Sequence, residues 1–163
     1  MAANFPNRLR LFAGALFIFS CLNVPNARSN EDFAPITNAD VLRECSECHM
    51  AFQAEMLPKR SWRALIDGLE DHFNEDAAVA PALAKTIRDF FVAHAADANW
   101  WNGRFMAGLE DQQTPLRITD TPLWKREHIH VVPTGMRRDP MVRSPANCPA
   151  CHPRADKGNY DRK

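Results

Sequence analysis

From Leu11 to Val24 the chain reads LFAGALFIFSCLNV, an almost unbroken apolar run with Arg8 and Arg10 ahead of it. The run has the length of a signal-peptide core and is too short for a comfortable membrane span. Pro25-Asn26-Ala27 ends it with a breaker and a small residue, so residues 1–27 are expected to be a cleaved export signal. After this the pattern becomes amphipathic. Asn38 or Asp40 suits the start of a short helix running into Cys45. Trp62, Leu65, Ile66, Leu69 and Phe73 recur at helical spacing, and Ser61 precedes them as a good cap, which predicts a helix from Trp62 to about Asn74. Leu83, Ile87, Phe90 and Phe91 form a second stripe. Pro81 suits the first turn there, so a helix is predicted from Pro81 to near Ala96. Residues 97–120 mix breakers with aromatics, Trp100, Trp101 and Phe105 among them, and Leu123 to His130 predicts a short helical element. Three prolines and a glycine make residues 131–147 an irregular loop. No strand alternation persists, so the fold is expected to be mainly α with extensive loops.

Composition changes this picture little. Hydrophobic residues at 45% and charged residues at 25% describe a globular chain. Lys+Arg and Asp+Glu balance at 20 each, and loss of residues 1–27 leaves 18 against 20. No excess of either sign points to nucleic acid or a membrane surface.

The cysteines change it greatly. Cys21 lies within the expected signal, and the other four lie in two pentapeptides, Cys45-Ser46-Glu47-Cys48-His49 and Cys148-Pro149-Ala150-Cys151-His152. A disulfide within either would close a very small loop and add little. Redox-active Cys-x-x-Cys pairs usually open a helix after a strand, and no such pattern surrounds these. Paired zinc motifs usually stand about 15–20 residues apart, far closer than here, and zinc gives no reason for His after the second Cys. Covalent haem attachment explains every position. Two thiols add to the two haem vinyl groups, and the next residue places an imidazole under the iron. Cys45, Cys48, Cys148 and Cys151 are therefore the expected attachment points of two c-type haems, with His49 and His152 as proximal ligands. A small two-lobed c-type cytochrome follows, one haem per lobe, divided as residues 28–110 and 111–163. The sixth ligands are open at this level. His72, His94, His128, His130, Met50, Met56, Met106, Met136 and Met141 are candidates. Helical geometry favours His94, which falls in the middle of the Leu83/Ile87/Phe90 stripe, while His72 lies at the flank of its own. His128 and His130 adjoin charged Lys125-Arg126-Glu127, as solvated side chains do.

Further segments resemble a known family. Cys45-x-x-Cys48-His49, then Leu57-Pro58-x-Arg60-Ser61-Trp62, then Gly68-Leu69-Glu70-Asp71-His72-Phe73 are similar to the dihaem cytochrome c family of small exported bacterial cytochromes. Arg117-Ile118-Thr119, Trp124-x-Arg126-Glu127-His128 and Ser144-x-Ala146-Asn147-Cys148-x-x-Cys151-His152 continue the match, which covers about residues 41–160. The resemblance implies two histidine ligands per iron, His49 with His72 and His152 with His128. It also implies low potentials, periplasmic electron transfer rather than catalysis, and redox partners. These would be a soluble monohaem cytochrome c and a membrane b-type cytochrome. A haem enzyme or gas-binding protein with one open iron is the alternative. Arg60 and Arg63 are candidate partners for haem propionates. Two positions depart from the family pattern: Asn74, where glycine is expected after His-Phe, and Lys59, where a small residue is usual.

Overall fold

The computed structural model describes residues 1, 32–99, 103–129 and 139–161. The expected export signal, Cys21, Trp100, Trp101, His130 and Met136 lie outside them. Among the described residues, four short α-helices are joined by 3₁₀ turns and loops: α1 (Ala39–Cys45), α2 (Lys59–Asp67), α3 (Pro81–Ala93) and α4 (Pro122–His128). Among the described residues, β-pairing is limited to the isolated bridges Asp32–Asn159 and Arg154–Asn159. No helix among them is long and apolar enough to cross a membrane.

Local chemistry explains the helix ends. Asn38 caps α1 as expected, its side chain accepting from the amides of Asp40 and Val41. α3 opens on Pro81, whose missing N–H would lack a helical partner anyway, and closes about a turn before the expected end. α2 departs from expectation at both ends. Ser61 is not its cap but a buried residue within the helix, which begins two residues earlier at Lys59. The Lys59 amide is capped by a carboxylate far along the chain, Asp97 Oδ1 at 2.7 Å. The helix stops at Gly68, and a 3₁₀ turn (Leu69–Asp71) leads to Phe73 and Asn74, both at positive φ, 61° and 75°. Asn tolerates that region better than other non-glycine residues, which accommodates Asn74 where the resemblance leads one to expect glycine.

Two hydrophobic cores result. The first joins α1, α2 and α3. Trp62 stacks on Phe91 at 4.1 Å and donates its indole N–H to Ala54 O at 2.8 Å, with Val41, Leu57, Ile66 and Ile87 around them. The second gathers Leu123 of α4 with Phe33, Met56, Phe105, Ala155 and Tyr160. Phe52 and Ile118 touch both. The second core thus draws on residues ahead of position 110 as well as after it. Buried Gln53 holds the second core to the segment ahead of α2, donating to Ala155 O at 2.8 Å and accepting from the Tyr160 hydroxyl at 2.6 Å.

Candidate haem-binding sites

The two pentapeptides are held in the same way by different elements. The first begins on the last residue of α1, and the second forms a 3₁₀ turn (Cys148–Ala150) in which Cys148 O accepts from the amides of Cys151 and His152. In each, the leading cysteine rests against a core, Cys45 on the first and Cys148 on the second, while Cys48 and Cys151 are exposed. Burial pushes both leading thiols up to about 11, helped by Glu44 at Cys45 and by Cys151 at Cys148. Thiols so reluctant to ionise are poor redox nucleophiles. Among the described residues, no three His, Cys, Asp or Glu side chains converge as metal ligands would.

The histidines fall into two pairs. The rings of His49 and His72 have centroids 6.1 Å apart with planes at 29°, and those of His128 and His152 are 6.3 Å apart with planes at 76°. A metal between two opposed imidazole nitrogens, each about 2 Å away, separates the ring centroids by about 6 Å. Both pairs therefore fit one iron between them. In His49 and His128 the Nδ1 atom faces a backbone carbonyl, Met50 O at 2.7 Å and Trp124 O at 2.8 Å. Donation there puts the proton on Nδ1 and leaves the Nε2 lone pair for a metal. His128 also stacks on Trp124 at 4.3 Å. His152 lies 5.5 Å from the Tyr160 ring, and its Nδ1 is buried without a hydrogen-bond partner. His72 is half-buried, and its pKa is lowered, first by burial, then by His49 and Arg117.

The remaining candidates among the described residues lie elsewhere. His94 is not on the buried stripe. It is the exposed C-cap of α3, with Nδ1 2.8 Å from Phe90 O and its ring against Phe90. Its amide still donates to Phe90 O at 3.2 Å, so it keeps helical register, but this end of the stripe is open to solvent and leaves the ring exposed. Met56 is buried in the second core, Met50 and Met106 pack against it, and Met141 is exposed. Arg60 donates to the backbone carbonyls of Glu110 and Gln113, which ties α2 to that loop. Sequence reasoning did not anticipate Phe52, which stacks on His49 at 5.0 Å, the Gln53–Tyr160 bridge, or Arg117 over Phe73. The stacking of Trp124 on His128 was readable, because four residues apart on a helix means neighbours.

Comparison with known proteins identifies the family and the fold. A family model described as dihaem cytochrome c matches residues 41–160. A solved dihaem cytochrome c from Rhodobacter sphaeroides is 42% identical, with a TM-score of 0.74 over 78% of this chain and 99% of that one. A second structure, of the protein purified from the same organism, is 40% identical, with a TM-score of 0.65 over 77% and 98%. A dihaem cytochrome from Shewanella baltica is 33% identical, with a TM-score of 0.62 over 76% and 87%. No curated protein matches.

Proposed function

This chain belongs to the dihaem cytochrome c family and carries two c-type haems, and we propose that it is a periplasmic electron carrier whose irons are each held by two histidines. Cys45 and Cys48 attach the first haem, with His49 and His72 on its iron. Cys148 and Cys151 attach the second, with His152 and His128. When bound, each haem supplies a one-electron couple between ferric and ferrous iron.

The observation that carries this reading is the pair of histidine separations, 6.1 and 6.3 Å, one beside each Cys-x-x-Cys-His. The Nδ1 contacts of His49 and His128 with carbonyls make their imidazoles stronger donors, which favours the ferric state and a low potential. Trp124 and Phe52 cover ligand rings and limit water there. With four side chains for four axial positions, neither iron keeps an open place for a substrate, so the protein passes electrons without transforming a bound molecule. Residues 1–27 direct export. A membrane b-type cytochrome is the proposed donor and a soluble monohaem cytochrome c the proposed acceptor.

The test uses protein exported from a host with c-type haem maturation. Its intact mass should equal the chain without residues 1–27 plus two haems, and the reduced protein should keep sharp low-spin bands under carbon monoxide. Prompt binding of one carbon monoxide per chain would overturn the closed-iron reading in favour of a haem enzyme or gas-binding protein. The oxidised protein should give two distinct low-spin paramagnetic resonance signals. Near-parallel imidazole planes, as in the first pair, give a rhombic signal, and near-perpendicular planes, as in the second, a highly anisotropic one.

A further inference from the structure

We propose that Arg117 is a positioning residue for the first haem: it clamps Phe73 against the sixth ligand, His72, and its fixed charge raises that haem's potential. The proposal rests on the reading of His72 as a ligand.

His72 opens a tight turn. Its amide donates to Glu75 O at 2.8 Å, and the Glu75 amide donates back to His72 O at 3.3 Å. Inside the turn, Phe73 and Asn74 both have positive φ. That conformation is unfavourable for a bulky L-residue and persists only where the surroundings hold it. Here the Phe73 ring lies 4.8 Å from the His72 ring, edge to face at 62°. On Phe73 sits the Arg117 guanidinium, 3.7 Å from the ring centroid, close enough for attraction to the ring quadrupole.

His72 needs this support more than the other sixth ligand does. His128 is anchored by Trp124 twice, through a carbonyl contact and by stacking. Among the described residues, the His72 ring has no hydrogen bond of this kind, and its neighbours are His49 and Phe73. Arg117 comes from a distant part of the chain, where it caps the 3₁₀ turn Ile118–Asp120 just ahead of α4 and His128. One arginine thus ties the segment carrying one sixth ligand to that carrying the other.

The charge has a consequence of its own. Oxidation adds a positive charge at the iron, and a permanent cation nearby opposes it. Asp71 and Glu75 on the turn act in the opposite sense, and Arg117 offsets them.

The experiment is a spectroelectrochemical titration of the holoprotein and of Arg117→Gln, Arg117→Lys and His72→Met, with intact mass confirming two haems in each. Arg117→Gln should lower the first haem's ferrous-to-ferric ratio about threefold at fixed solution potential, which is about 30 mV at 59 mV per tenfold. The second haem should not move, and Arg117→Lys should restore most of the shift. Phe73→Leu, which keeps the charge and removes the platform, should let the reduced first haem take up carbon monoxide. If Arg117→Gln moves neither potential, or Gln and Lys act alike, the electrostatic role is wrong. If Phe73→Leu excludes carbon monoxide as the native protein does, the clamp is wrong. His72→Met separates the levels. An unchanged spectrum there removes the ligand reading and this proposal with it, whereas a shifted spectrum beside a silent Arg117→Gln removes only the proposed electrostatic role.

Discussion

The hydrogen bond from Tyr160 to Gln53 Oε1 is buried and short, and it fixes a second-core residue to a glutamine 107 positions earlier. Burial pushes the Tyr160 pKa well above the ordinary tyrosine value of 10.0. The folded protein therefore keeps the phenol protonated where the unfolded chain would release it. The stability from this is full below about pH 10 and falls as pH rises beyond it. Tyr160→Phe leaves the Gln53 oxygen without its donor and should cost about 1–3 kcal/mol at neutral pH. Denaturant titrations of both holoproteins at pH 7 and pH 10.5 should show the gap narrowing at the higher pH. A gap independent of pH would mean that the hydroxyl contributes by packing alone. At this scale the sequence was legible where function is written contiguously. Cys45, Cys48 and His49 name their chemistry by spacing, as do Cys148, Cys151 and His152. Gln53 and Tyr160 carry no such mark, because a glutamine acquires its importance from a partner 107 positions away.

Among the elements, α4 depends most visibly on one side chain. Thr121 is fully buried, donates its hydroxyl to Ile118 O at 2.7 Å and accepts from the Trp124 amide at 3.3 Å. Thr121→Ala should cost about 1–2 kcal/mol, the usual range for a lost N-cap. Because His128 is the last residue of that helix, the loss should also raise carbon monoxide uptake at the second haem and not the first. Equal uptake at both, or none, would separate the cap from the ligand. Sequence pattern located α1, α3 and α4 well because their ends are set by neighbours: Asn38, Pro81, and the Thr121-Pro122 pair. It misplaced α2 because the group that caps it, Asp97, lies beyond the next helix. Ser61 had the right chemistry for a cap and is spent inside the helix instead, its hydroxyl buried without a partner. His94 was misjudged for another reason: it follows Phe90 in helical register, but that end of α3 is open to solvent.

Taken whole, the molecule has two haem sites but no clean seam between them. Phe33, Met56 and Ala96 serve the second core, and Phe52 and Ile118 serve both. Residues 32–33 are tied to 158–159 by the Phe33 amide on Gly158 O at 2.7 Å and by Asn159 on Asp32 at 2.6 Å. Gly158 must be glycine there, since its φ is 81° and a Cβ would stand 2.4 Å from Phe33 O. Unfolding in guanidinium should therefore be a single transition, with both haem spectra losing their low-spin bands at one midpoint. Two separated midpoints would mean that the lobes stand independently. Gly158→Ala should lower the shared midpoint for both haems, and a loss confined to the second would break the link inferred here.

That clasp between distant segments also bears on the order in which the protein folds. Gln53 waits for Ala155, 102 positions later, and Phe33 waits for Gly158. Contacts of such long span form late, because the loop must close before they reward the chain. A chain that emerges from its amino end presents Cys45, Cys48 and His49 while the residues that will cover the neighbouring core have yet to arrive.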